Sequence, residues 1–179
     1  MNKIIFGITG QIASGKDTVA NYIIQKTNAK TFKFSQVLRD ILKRIHQETT
    51  RDNMQKLSTS LRQDFGEDIL AKILSEDIKI SDENVMVIDG VRRYADIESL
   101  KDLEGFKLIY VETNMENRYE RIVKRGENAD DSTKTFEDFK KDNEKEAESQ
   151  ILDLKKFASI IVDNNGSFEE LYKQIDSVL

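Results

Sequence analysis

The chain has 179 residues, no cysteine and no proline, and its 28 lysines and arginines against 33 aspartates and glutamates leave a net charge of −5. That length suits one domain with a sizeable core. The missing thiols exclude disulfides, thiolate chemistry and cysteine-based zinc sites, and the acidic balance disfavours long-range attraction to nucleic acid or an anionic membrane surface. Any anionic ligand must therefore be gripped by a local basic pocket.

The first apolar run ends at Thr9, far short of the roughly 18 residues of a membrane span, and no signal-peptide cleavage pattern follows it. A cytoplasmic protein is expected. Ile4, Ile5, Phe6 and Ile8 in this run read as a strand buried on both faces. A glycine-bearing loop follows over 10–15, and residues 16–26 carry Val19, Ala20, Ile23 and Ile24 at helical spacing. A second strand fits 31–35, with Ser35 capping a helix whose apolar stripe is Val37, Leu38, Ile41, Leu42 and Ile45. The polar run 47–53 breaks that pattern, and two further helices fit 54–65 and 67–80, divided near Gly66.

Residues 85–90 read as a buried strand that ends on Asp89 and Gly90. A helix over 94–103 and a fourth strand over 107–112 follow, then Thr113 with Glu116 as a capping box for a helix to Arg125. Residues 126–133 read as a polar loop, 136–157 as one highly charged helix, and 159–162 as a fifth strand. The turn 163–166 leads to a last helix capped by Ser167 and Glu170. Strands alternating with helices predict an α/β protein, with five parallel strands between helical layers and ligands at the strands' carboxyl ends.

The stretch Gly10-Gln11-Ile12-Ala13-Ser14-Gly15-Lys16-Asp17-Thr18 lies between the first strand and the first helix. In such a loop successive backbone N–H groups cradle phosphate oxygens, the helix N-terminus adds partial positive charge, and the lysine reaches the β- and γ-phosphates. The site so read comprises Gly10, Ala13, Ser14, Gly15, Lys16, Asp17 and Thr18. The usual pattern places a serine or threonine where Asp17 stands, because a hydroxyl there ligates magnesium. A carboxylate is also a hard oxygen ligand, so Asp17 is read as a Mg²⁺ ligand; the alternative is a partner of the helix dipole. Thr18 cannot substitute, since one helical residue turns the side chain by about 100°. The single histidine, His46, has no second histidine or cysteine near it in sequence, and no Gly-x-Ser-x-Gly elbow appears.

The loop and its Gly15-Lys16-Asp17-Thr18 ending resemble the P-loop small-molecule kinases, in particular the nucleoside and deoxynucleoside monophosphate kinases, which are adenylate kinase-like and related to dephospho-coenzyme A kinases. The three-layer P-loop fold with a helical lid follows from that resemblance, as do ATP and Mg²⁺ and transfer of the γ-phosphoryl group to a nucleoside or deoxynucleoside monophosphate. Phe34-Ser35-Gln36-Val37-Leu38-Arg39 is similar to the segment in which a serine or threonine precedes a Leu-Arg pair, which implies that Arg39 grips the acceptor phosphate. Asp89-Gly90-Val91-Arg92-Arg93 is similar to the Asp-Gly-x-x-Arg segment; it implies that Asp89 serves magnesium or the attacking oxygen, and that Arg93 or Arg92 binds the acceptor. Arg118, Arg121 and Arg125 share one helical face and resemble lid arginines that close over the triphosphate, Arg121 and Arg125 standing nearer the lid at about 126–148. The acceptor helices would span about 36–80.

Dephospho-coenzyme A kinase is the alternative enzyme, weakened because Ser35-Gln36 stands where that family carries an aspartate pair. A regulatory nucleotide-binding switch is the alternative from another class, but no Asn-Lys-x-Asp guanine signature follows a strand. The expected partner is a small phosphate acceptor, not nucleic acid or membrane, for a chain that acts as a monomer or homodimer.

Overall fold

The structure is a computed structural model and describes residues 3–125, 135–144 and 146–179. Its frame is the five-stranded sheet that the apolar runs predict: β1 (Ile4–Thr9), β2 (Lys30–Lys33), β3 (Val85–Asp89), β4 (Phe106–Glu112) and β5 (Ile160–Asp163). They lie in the order β2-β3-β1-β4-β5 and every pairing is parallel. Parallel strands need crossovers, and helices supply them on both faces.

Alternation along the strands sorts the core into two layers. Phe6, Ile8, Val87, Ile109, Val111 and Val162 pack with Val19 and Ile23 of α1 (Lys16–Thr27) and with Leu171 and Ile175 of α9 (Phe168–Asp176). Ile5, Met86, Ile88 and Leu108 face the other layer, α2 (Phe34–Arg44), α4 (Ile69–Lys79) and α5 (Tyr94–Leu100), through Val37, Leu70, Leu74 and Ile97. The two-residue period of a strand and the 3.6-residue period of a helix account for both layers.

Three local expectations need correcting. The second strand stops at Lys33 and α2 already begins at Phe34; Ser35 is therefore no cap, and its hydroxyl accepts from Arg39 one turn on, at 2.8 Å. Thr113 does not cap the helix α6 (Met115–Arg125). Asn114 does, its side-chain oxygen accepting the N–H of Asn117 at 2.8 Å, while Thr113 is turned inward. The charged helix expected over 136–157 is split into α7 (Phe136–Asn143), α8 (Glu146–Asp153) and a 3-10 turn, Leu154–Phe157. Asn143 donates its side-chain amide to the Phe139 carbonyl, and such local bonds compete with helix continuation.

Elsewhere boundaries move by a few residues. α3 (Arg51–Phe65) starts earlier than the apolar pattern implied because Thr50 caps it, accepting the Asn53 N–H at 3.2 Å. Helix α5 ends at Leu100 instead of 103. The Ser167–Glu170 capping box is present, and the Ser167 N–H and O–H hold the Glu170 carboxyl below its usual range. Among the described residues no helix is long and apolar enough to cross a membrane.

Candidate active site

β1 delivers the chain to the middle of the sheet and the 10–15 loop turns it into α1. Three residues of that loop take positive φ: Gly10 at 149°, Ala13 at 59° and Gly15 at 94°. Gly10 also lies so close to β4 that a Cβ would stand 2.6 Å from the Val111 carbonyl oxygen. Lys16 folds back over the loop, its ammonium donating to the carbonyls of Gly10 and Gln11 at 2.8 and 2.9 Å. The cation is thus held against the loop's own backbone.

The loop is braced from behind. The Ser14 carbonyl accepts from the Thr113 hydroxyl at 2.9 Å, the Asn164 side-chain amide at 2.8 Å and the Arg121 guanidinium at 3.3 Å. Arg121 also donates to the Asn164 carbonyl at 2.7 Å, and partial burial lowers its pKa from a value so high that it stays charged. The carboxyl ends of β4 and β5 thereby clamp the loop that follows β1. Asn164 and Thr113 were missed as site residues; their signal, a polar residue directly after a buried strand, is shared by many ordinary turns.

A cavity of about 610 Å³ opens in front of the loop. Gly10, Ala13, Gly15, Lys16, Asp17 and Thr18 line it, with Asp89 and Gly90 from the end of β3 and Arg121 and Arg125 from α6. Ser14 is buried behind them. Asp17 is exposed on one wall. Asp89 has a cation partner that strand register supplies, since Lys33 pairs beside it in β2 and its ammonium lies 3.3 Å from the carboxylate.

A second cavity of about 390 Å³ lies between α2, α3 and the loop 90–93. Phe34, Leu38, Met54 and Leu70 form its apolar part, and Arg51, Arg62, Arg92 and Arg93 its basic part. The two cavities share Arg51, Asp89, Gly90 and Arg92. Arg93 is paired with Glu67 at 2.7 Å. Arg39 lines neither cavity and reaches the second only through Ser35, which does. Arg51 and Arg62 were not read from the sequence as site residues. The Thr50 cap that puts Arg51 in the first turn of α3 was the available clue, but the fold of α3 back over the cleft has no local signature.

Asp96 was also missed. Its carboxylate accepts the N–H groups of Arg92 and Arg93, each at 3.1 Å, and lies 3.4 Å from the Arg62 guanidinium. Burial pushes its carboxyl up, while those N–H groups and the Arg62 charge pull it down.

The three arginines of α6 divide their work. Arg121 and Arg125 line the first cavity, whereas Arg118 is buried. Arg118 donates to the Thr113 carbonyl at 3.2 Å and the Asn143 side-chain oxygen at 2.6 Å, with its guanidinium over the Phe139 ring. It ties α6 to α7. Replacing Arg118 by methionine keeps the bulk but leaves the Asn143 oxygen without this donor, so unfolding free energy should fall by about 1.5–3 kcal/mol, read from urea denaturation. Of the expected lid, residues 126–134 and 145 lie outside the described residues, 136–143 form α7 with Thr135 capping it, and 146–148 begin α8.

A parallel sheet, a cradling loop with its lysine and a basic second cavity together define a P-loop protein with a kinase-like fold. Residues 9–140 match the AAA domain family. A UPF0200 protein of Sulfurisphaera tokodaii is 30% identical over 175 residues, covering 98% of this chain and 95% of that one. The chain belongs to the AAA domain family and to the UPF0200 proteins. It spans only 54% of a UPF0200/UPF0201 protein of Archaeoglobus fulgidus, to which it is 28% identical over 179 residues, 98% of this chain. In fold it is similar to a gluconokinase from Sinorhizobium meliloti (TM-score 0.57, 14% identity, 97% of this chain and 89% of that). A shikimate kinase from Bacteroides thetaiotaomicron is also similar (TM-score 0.52, 13% identity, 98% and 96%).

Proposed function

We propose that the protein is an ATP-dependent kinase that transfers the γ-phosphoryl group to the phosphate of a nucleoside or deoxynucleoside monophosphate. The observation that carries this reading is the charge balance of the second cavity. Four arginines line it, and both of its carboxylates are engaged, Asp89 with Lys33 and Asp96 with Arg62 and two backbone N–H groups. An acceptor hydroxyl would want a base, whereas an acceptor phosphate already carries an anionic oxygen and wants cations. The apolar end formed by Phe34, Leu38, Met54 and Leu70 suits a nucleobase.

In this reading the 10–15 loop and Lys16 hold the triphosphate of ATP, and Arg51 and Arg92 hold the acceptor, with Arg93, paired to Glu67, and Arg39, acting through Ser35, behind them. An acceptor phosphate oxygen forms a bond to γ-phosphorus as the bond to the β,γ-bridging oxygen breaks, giving a nucleoside diphosphate and ADP. Arg121 and Arg125 face the cavity where charge spreads over the transferring group. Asp17 and Asp89 fit Mg²⁺, Asp89 by exchanging its half-exposed Lys33 partner for the ion, so that it is paired with a cation in either state: both line the first cavity, and this ion is bound through one or two carboxylates plus phosphate oxygens. The metal would offset phosphate charge and orient the γ-phosphoryl group.

The test is a panel of ribo- and deoxyribonucleoside monophosphates, dephospho-coenzyme A, gluconate and shikimate, each incubated with ATP and Mg²⁺ and resolved by chromatography. A nucleoside diphosphate from at least one monophosphate is expected. Phosphorylation confined to a hydroxyl acceptor would overturn the acceptor assignment. Slow hydrolysis without stimulation by any acceptor would favour a switch.

A further inference from the structure

The basic cavity contains more arginines than one phosphate requires, and two of them are already committed to the protein. Arg62, near the end of α3, is only 9% exposed. One of its terminal nitrogens donates to the Glu67 carbonyl and the other to the Asp96 carboxylate. Glu67 in turn holds Arg93 through its own carboxylate, and Asp96 holds the backbone of Arg92 and Arg93. The bonds close a circuit through the end of α3, the turn after Gly66, the loop 90–93 and the first turn of α5. Arg51 starts α3, eleven residues before Arg62 and so about 16 Å away along the helix. It is exposed at the border of the two cavities, with no side-chain partner among the described residues.

We propose that Arg62 and Asp96 are positioning residues. They lock α3 to the loop 90–93, so that Arg51 and Arg92 converge on the acceptor phosphate from opposite walls. What Arg51 and Arg92 hold rests on the function proposed above; the lock itself does not. A buried ion pair is weak evidence for stability, because well-packed apolar replacements often do as well, and its better-attested use is to fix one arrangement among several. Here the arrangement fixed is the approach of two segments that belong to different crossovers of the sheet. An α3 free to shift by about 1 Å would misplace the acceptor, and misplacement of that size costs up to about 100-fold in rate.

The variants that test this are Asp96→Asn alone and Arg62→Met with Asp96→Asn. The single change leaves the Arg62 charge buried beside an amide; the double change removes that charge, and the asparagine oxygen still accepts the Arg92 and Arg93 N–H groups. Circular dichroism and thermal melting establish folding of the double variant, and Arg62→Lys, which keeps a charge and donor, serves if it does not fold. Amide hydrogen exchange of the ligand-free chain is the readout independent of catalysis. The double variant should exchange faster over 90–96 and α3, with 10–17 unchanged. Its kcat/KM for the monophosphate should fall about 10–100-fold while the Kd of an ATP analogue stays constant. Unchanged exchange at 90–96 overturns the lock whatever the substrate. Faster exchange with an unchanged kcat/KM for the acceptor overturns the positioning role. Faster exchange in a protein whose wild type phosphorylates no monophosphate overturns the proposed function and leaves the lock standing.

Discussion

Gly15→Ala is expected to abolish tight nucleotide binding and to lower stability together. Gly15 holds φ at +94°, a backbone region where a Cβ is strained by about 1–3 kcal/mol. The new methyl would also overlap the side-chain amide of Asn164, which is 4% exposed and cannot swing into solvent. Moving that amide removes one donor from the Ser14 carbonyl, worth about 1 kcal/mol. A combined loss of about 2–4 kcal/mol follows, or a fall in melting temperature of roughly 4–16 °C for a domain of this size. Isothermal titration with a non-hydrolysable ATP analogue and Mg²⁺ reports the binding. If Gly15→Ala bound the analogue as wild type does, the 10–15 loop would not be the phosphate cradle. Adding Asn164→Ala removes the overlap, so the double variant should recover part of the stability but not the bracing of Ser14.

That coupling between Gly15 and Asn164, 149 positions apart in the chain, marks what a sequence can and cannot carry. The strands were legible because burial on both faces leaves continuous runs such as Val85–Asp89, and α1 because its apolar residues recur at helical spacing. The 10–15 loop was legible because its signal sits in consecutive residues, with Gly10 and Gly15 each answering a backbone requirement. Asp89 was legible as a strand-end carboxylate, but its partner Lys33 was not, since only strand register brings them together.

Helix ends were read least well where two polar residues compete for one role. Thr113 and Asn114 both can cap; Asn114 takes the helix because Thr113 is drawn under the loop by the Ser14 carbonyl. Arg118, Arg121 and Arg125 do share a face in spacing, yet that face is half cavity and half buried seam, and spacing alone cannot divide it. Arg62 and Asp96 looked like ordinary charges on polar helices. Their significance lies in closing a circuit over 34 positions, which no local pattern encodes.

Lys16→Ala should give the largest loss of activity with little loss of fold. The ammonium, which itself lines the first cavity, bonds two carbonyls of the loop, and removing it opens the position beside those carbonyls to water, so the change should cost about 1 kcal/mol of stability. Phosphoryl transfer has little covalent chemistry for the protein to perform, and its rate rests on positioning and on charges placed where the transition state needs them. Removing one such preorganised donor typically costs about 10²–10³ in kcat. The expected signature is therefore a near-normal melting curve, a modest rise in the Kd for ATP and a single-turnover rate lower by two to three orders of magnitude. Lys16→Arg should not restore it, because a planar guanidinium cannot occupy the compact position that an ammonium takes between two carbonyls less than 3 Å away. A Lys16→Ala enzyme with full activity would move the chemistry away from this loop; one with unchanged rate but weak ATP binding would confine the lysine to the ground state.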